Sequence, residues 1–152
     1  MNIRKLRLQD YPVADAMMRE LHRLHASQRP DLFVQEASPY SREEFAAMVE
    51  DASRICLLAE EEGKAIGLCF LSLREPKGIL LQKIAHIDDI FVVKEARRQG
   101  VAKKLYEEAE RQARAAGAWG IHLKVWAFNE PALAFYRSLG MKVRSYDLEK
   151  EL

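Results

Sequence analysis

The chain is poor in the residues that mark specialised architectures. Two cysteines in 152 residues, Cys56 and Cys69, cannot staple a small disulfide scaffold. Both lie inside apolar runs, the pattern of reduced core thiols in a cytoplasmic protein. No apolar stretch approaches the ~18 residues of a membrane span, and Met1-Asn2-Ile3-Arg4 opens no secretory leader. A surplus of one charge sign is also missing. The 24 Lys and Arg oppose 23 Asp and Glu, for a formal net charge of +1, so no global field draws the chain to nucleic acid or a membrane surface. Repeats, low-complexity tracts and linkers are absent. His22 and His25 stand three apart with no third ligand spaced to join them, so no metal is expected. What remains is an ordinary composition, 49% hydrophobic and 31% charged, in one domain over residues 1–152 with its own core.

Periodicity divides that domain into elements. Ile3 to Leu8 alternates and predicts a first strand. Asp10 stands at a cap position with Pro12 just inside a helix that carries Val13, Ala16, Met17, Leu21, Leu24 and His25 and stops before Arg29-Pro30. Gln28 to Pro39 has no period, and its Asp31, Phe33 and Glu36, with Tyr40 beyond, suggest the wall of an acceptor pocket. Ser41 and Glu44 form a capping box for a short helix. Arg54–Glu60 and Lys64–Leu73 make a hairpin around Glu61-Glu62-Gly63, and Gly67 inside its strand predicts a bulge or a close approach. After a loop from Arg74 to Gln82, Lys83 to Val93 supplies a buried central strand. There Asp88, Ile90 and Val92 are expected on one face, and Asp89, Phe91 and Val93 on the other.

The period then changes. Val101, Leu105, Ala109, Gln112 and Ala116 fall at helical spacing, so strand passes to a helix of about twenty residues through Arg97-Arg98-Gln99-Gly100. Such a turn suits an anion. The first helical amides have no intrahelical acceptor, the peptide dipoles converge there, and Gly100 lets an oxygen approach the backbone. Arg97, Arg98, Lys103 and Lys104 add full charges that oppose the helix dipole unless an anion sits among them. Neither the Walker pattern nor the three-glycine dinucleotide fingerprint is present. Beyond Gly117, Trp119 to Trp126 alternates as a strand. Asn129 caps a short helix through Ala132, Leu133, Phe135, Tyr136 and Leu139, and Met141 to Leu148 predicts a last strand. The order β-α-α-β-β-β-α-β-α-β is an α/β mixed sheet with helices on both faces.

Arg97-x-x-Gly100-x-Ala102 between strand and helix resembles the pyrophosphate-binding turn of the GNAT superfamily of acyl-CoA-dependent N-acyltransferases. Asn129-x-x-Ala132-x-x-Phe135-Tyr136-x-x-x-Gly140-Met141 is similar to that family's Asn-x-x-Ala-x-x-Phe-Tyr-x-x-x-Gly-Phe segment and follows at the family's separation. Lys94 stands where the family often has proline, Arg98 where it often has glycine, and Met141 where it has phenylalanine. The resemblance implies a sheet splayed between strands 4 and 5 that admits acetyl-CoA, with pantetheine along Ile90, Phe91 and Val92. It implies pyrophosphate on the amides of Arg97, Arg98, Gln99, Gly100, Val101, Ala102 and Lys103, and Asn129 near the thioester arm.

The implied activity is N-acetyl transfer to a primary amine by direct attack in a ternary complex. Tyr136 is the implied general acid and also borders the cofactor, and the Val92 amide is the implied oxyanion donor. Asp88 is the expected base. Phe33, Asp88 and Trp126 are the expected acceptor contacts. The carboxylates favour a cationic acceptor, such as a small polyamine, an amino sugar or a peptide α-amine. A non-catalytic acyl-CoA-binding module is the competing expectation, and a homodimer is one way to cover the sheet edges.

Overall fold

A five-stranded sheet in the order β1-β2-β3-β4-β5 forms the frame. Its strands are β1 (Asn2–Lys5), β2 (Arg54–Glu61), β3 (Lys64–Arg74), β4 (Ile84–Val92) and β5 (Gly120–Leu123). The first four pair antiparallel and β4 pairs parallel with β5. The helices are α1 (Tyr11–Gln28), α2 (Arg42–Glu50), α3 (Val101–Ala115) and α4 (Glu130–Ser138). The computed structural model describes residues 1–152.

Alternation along β2 and β3 decides which helix covers which face. Ile55, Leu57, Ala59, Cys69 and Leu71 face one core with Val101, Leu105, Ala109 and Ala113 of α3, and Phe135 and Leu139 of α4 pack at its margin. Cys56, Leu58, Leu68 and Phe70 face the other, with Met17 and Met18 of α1 and Phe45 and Met48 of α2. Helices therefore lie on both faces of the mixed sheet. The two cysteines point to opposite cores and both are free thiols. Burial pushes the Cys56 thiol up to about 11, so it is inert at neutral pH.

Gly67 meets both halves of its expectation. A β-bulge leaves Ile66 without a partner between Ala59–Gly67 and Glu60–Ala65. A Cβ at Gly67 would lie 2.9 Å from the Phe91 carbonyl oxygen and 3.1 Å from Leu105 Cδ1. The missing side chain is what lets α3 settle on β3 and β4.

Four sequence expectations need correction. The first strand ends at Lys5, because Leu8–Asp10 winds into a short 3-10 turn. Asp10 does occupy the N-cap position of α1, but its side chain makes no cap bond there; it accepts from the Arg7 amide at 2.7 Å and binds Arg4 through both oxygens. The second bulge breaks the expected parity of β4. Phe70 faces Asp89 while Leu71 faces Ile87, so Asp88 is the extra residue. Ile87, Ile90 and Val92 then share the α3-side core, and Asp88 turns to the face of Asp89 and Phe91 instead. Finally, Met141 to Leu148 is no strand. Val143 has the opposite parity to Tyr146 and Leu148, so an extended segment has no single apolar face to bury. All three are exposed, at 60%, 84% and 89%.

Candidate active site

The parallel ladder between β4 and β5 runs only from Ile84–Gly120 to Ile87–Leu123. Beyond it β4 continues to Val92 and β5 stops, which leaves the sheet splayed between the two. The Val93 amide donates to Ile66 on β3 at 3.0 Å. Antiparallel alternation then directs the N–H and C=O groups of Ile90 and Val92 away from β3 and into the gap, while Phe91 points back to β3. The Val92 carbonyl already accepts from Arg97 Nε at 2.9 Å. Its amide remains directed into the opening.

The gap leads to the start of α3. Gly100 holds φ +82° as N-cap, and Arg98 holds φ +60°, left-handed geometry that is strained for a side-chain-bearing residue. A glycine at this position would carry no such strain. The first helical bond runs from the Lys104 amide to the Gly100 carbonyl at 3.0 Å. The six amides from Arg98 to Lys103 have no protein acceptor at all. Val101 is buried and offers only its amide, whereas Arg98, Gln99 and Lys103 are exposed. Arg97 stacks over Phe91 with 5.5 Å to the ring centroid and approaches Glu20 at 3.5 Å, which closes the turn against α1. Gln99 ties itself to the Glu95 carbonyl at 3.0 Å. Two left-handed residues and a helix start thus form a concave set of donors, the arrangement that binds phosphate oxygens.

On the far side of the gap, the Asn129 carboxamide oxygen accepts from the Ala132 amide at 3.2 Å and caps α4. Its NH2 group stays available. Two turns on from Asn129, Tyr136 packs against Phe135 at 5.2 Å between ring centroids. Burial pushes its phenol well above the ordinary tyrosine range, and the nearby Cys69, Asp89 and Tyr106 push the same way. The hydroxyl is therefore protonated throughout the physiological range.

The β4 bulge sets the two carboxylates side by side but in different company. Asp88 is held by Arg54 at 3.3 Å and by Arg74 at 3.8 Å, and accepts from the Ser72 hydroxyl at 3.3 Å. Asp89 is more deeply placed and accepts from the Tyr40 hydroxyl at 2.7 Å. Burial raises the Asp89 carboxyl above the usual carboxylate range, and the Tyr40 hydrogen bond offsets part of that rise. Tyr40 itself is pushed up by burial and then by the Asp89 charge. The Tyr40–Asp89 pair escaped the sequence reading because only tertiary structure brings the Pro39-Tyr40 loop end to β4.

Phe33 and Trp126, far apart in sequence, meet edge to face at 5.7 Å. Trp126 stacks on Phe128 at 5.7 Å, and His22 and His25 pack on Phe33. Arg29 lies 5.6 Å from the Trp126 ring centroid, held by Asp31 at 2.8 Å and by Glu149 at 2.5 Å. Glu36 in turn binds Arg23 at 2.9 Å. Asp88 does not join this aromatic group; it stands on the sheet among arginines. The acidic loop residues are each matched by an arginine.

The sheet thus opens beside a helix start with six free amides, with a protonated tyrosine on the opposite side. The model of the acetyltransferase (GNAT) family matches residues 18–141, and the chain belongs to that family. Among solved structures, it resembles a mutant of the BH1408 protein from Bacillus halodurans at 27% identity and a TM-score of 0.94, covering 100% of this chain and 99% of that one. An acetyltransferase from Vibrio fischeri is also 27% identical, with a TM-score of 0.67 over 83% of this chain and 97% of its own. Glucosamine-6-phosphate N-acetyltransferase from Arabidopsis thaliana shares the fold at 23% identity, with a TM-score of 0.70 over 99% and 97% of the two chains. No curated protein sequence is significantly similar to this chain. No helix is long and apolar enough to cross a membrane.

Proposed function

We propose that the protein transfers an acetyl group from acetyl-CoA to a primary amine by direct attack in a ternary complex. The observation that carries this reading is the run of six unpaired amides, Arg98 to Lys103, opening beside the free edge of β4. A diphosphate suits those donors, and an extended pantetheine amide chain suits the edge amides and carbonyls of β4, as an added strand does. Acetyl-CoA supplies a thioester carbonyl, and this chain's groups do the rest.

The amine nitrogen attacks the acetyl carbon, the carbon–sulfur bond breaks, and the products are an N-acetyl amide and CoA. The ammonium form must first give up a proton, because a free alkylamine has a pKa near ~10. In this reading Asp89 takes it. Its carboxyl is raised by burial, which makes it a stronger base than an ordinary aspartate, and Tyr40 fixes its orientation. Asp88, the base expected from sequence, has its oxygens engaged by Arg54, Arg74 and Ser72. The Val92 amide would donate to the developing oxyanion; as the carbon–sulfur bond breaks, Tyr136 donates its phenolic proton to the departing sulfur and is reprotonated by the second proton that leaves the nitrogen as the amide forms.

The test pairs two measurements. Acetyl-CoA raises the melting temperature, and an amine panel accelerates thiol release from acetyl-CoA. Tyr136→Phe is expected to lower kcat by about 10²-fold. Thermal stabilisation without amine-dependent thiol release from any acceptor would establish a binding module instead.

A further inference from the structure

The sheet face that carries Phe70 is covered by α1 and α2 only over part of its length. Beyond Phe70 the face continues as a cross-strand row. Arg54 on β2 lies opposite Ser72 on β3, Ser72 opposite His86 on β4, and His86 opposite His122 on β5. Residues directly opposite in a sheet share a face, about 5 Å apart. Two residues from the row stand Arg74 on β3, on one side, and Asp88 on β4, on the other, with Lys124 just past the end of β5, and Arg144 reaches in from the C-terminal segment to contact the His122 ring. Asp88 is the bulge residue itself and the row from Arg54 to His122 stands just before it, one pair short of Ile87–Leu123 where the β4–β5 ladder ends and the sheet begins to open; Arg74, opposite Ile84, reaches Asp88 through its long side chain.

This face is cationic. Arg54, Arg74, Lys124 and Arg144 bring four full positive charges. Asp88 shares its carboxylate between Arg54 and Arg74, and Asp147 touches only Lys124, at 3.6 Å. Both histidines are held below their ordinary range, first by burial and then by Arg74, Arg144 or Lys124, so at neutral pH they are uncharged hydrogen-bonding groups. The Arg54 and Asp88 side chains are only 30% and 19% exposed, so they are not freely solvated surface charges. The acidic residues that suggested a polycationic acceptor are spoken for by Arg23, Arg29, Arg54 and Tyr40.

Resting on the acetyl-transfer reading, we propose that the acceptor is a small primary amine that also bears an anionic group, a carboxylate or a phosphate, and that Arg54, Arg74 and Arg144 seat this anion. Guanidinium forks bind either oxyanion through paired N–H donors. Asp88 keeps Arg54 and Arg74 in place before the acceptor arrives. Its position between them explains an acidic residue that proton transfer does not use.

The experiment measures thiol release from acetyl-CoA with matched acceptors: an α-amino acid against its amide and methyl ester, an amino-sugar phosphate against the unphosphorylated sugar, and spermidine. The anionic member of at least one pair is expected to exceed its neutral partner about tenfold or more in kcat/KM. The pair that shows the gap identifies carboxylate or phosphate. Arg74→Gln is expected to remove most of that gap through KM, with thermal stabilisation by acetyl-CoA showing that the variant is folded. If neutral amines or spermidine match or exceed the anionic acceptors, the inference is overturned while acetyl transfer stands. If no amine accelerates thiol release, both readings fall together.

Discussion

Gly67→Ala tests the coupling between the core and the phosphate turn. The backbone at Gly67 is not left-handed, so alanine is tolerated conformationally and only space is at issue. The new Cβ would stand 2.9 Å from the Phe91 oxygen, 3.1 Å from Leu105 Cδ1 and 3.3 Å from Val101 Cγ1. The first contact is backbone and cannot rotate away. The other two belong to the first turns of α3. Relief therefore requires β3 and β4 to shift apart at Phe91 and the helix start to move off the sheet by a few tenths of an ångström. Overpacking of this kind costs about 1–3 kcal/mol. Restricting the unfolded chain returns about 0.4–1 kcal/mol. The net loss is about 1–2 kcal/mol, or roughly 2–8 °C in melting temperature for a domain of this size. Thermal denaturation monitored by circular dichroism measures it. The same variant is titrated with acetyl-CoA, and weaker binding is expected because the displaced turn carries the free amides. An unchanged melting temperature with unchanged affinity would refute the claim that Gly67 seats α3.

Two further perturbations probe charge. Tyr40→Phe removes the hydrogen bond that lowers the Asp89 carboxyl, so its pKa rises further. The acid limb of the kcat–pH profile is expected to move to higher pH, and an unmoved limb would take Asp89 out of the base role. Asp10→Asn breaks the paired contacts with Arg4 at 2.7 and 2.9 Å and the Arg7 amide contact, a loss of about 2 kcal/mol at pH 7. The Arg4 hydrogen bond holds the Asp10 carboxyl below the usual range. Its stabilising contribution is therefore complete above the unfolded carboxylate pKa and disappears as pH falls through the depressed folded value. Urea denaturation at pH 7 and at pH 3 checks this, with the gap between wild type and variant narrowing at the lower pH.

The elements whose residues repeat at one clear period were legible in the sequence. The Ser41–Glu44 capping box forms as expected, with the Glu44 amide donating to Ser41 Oγ at 3.1 Å. Arg97 to Lys103 and Asn129 to Tyr136 are local motifs, and their chemistry resides in the turn and cap that adjacent residues make. Met141 to Leu148 forms no strand because Val143 has the opposite parity to Tyr146 and Leu148, so no single apolar face can be buried. The face expected for Asp88 failed for a subtler reason. Face assignment by counting assumes an uninterrupted ladder, and a single bulge reverses every residue beyond it.

The sequence by itself determined the family, the layered α/β architecture and the free amides at the start of α3, because backbone donors at a helix start are fixed by local geometry. Only the tertiary structure decided which carboxylate is held by arginines and which by a tyrosine. It alone joined Phe33 to Trp126 and aligned Arg54, Ser72, His86 and His122 across four strands. Those relations depend on register and on loops closing over long separations, and neither is written in the spacing of neighbouring residues.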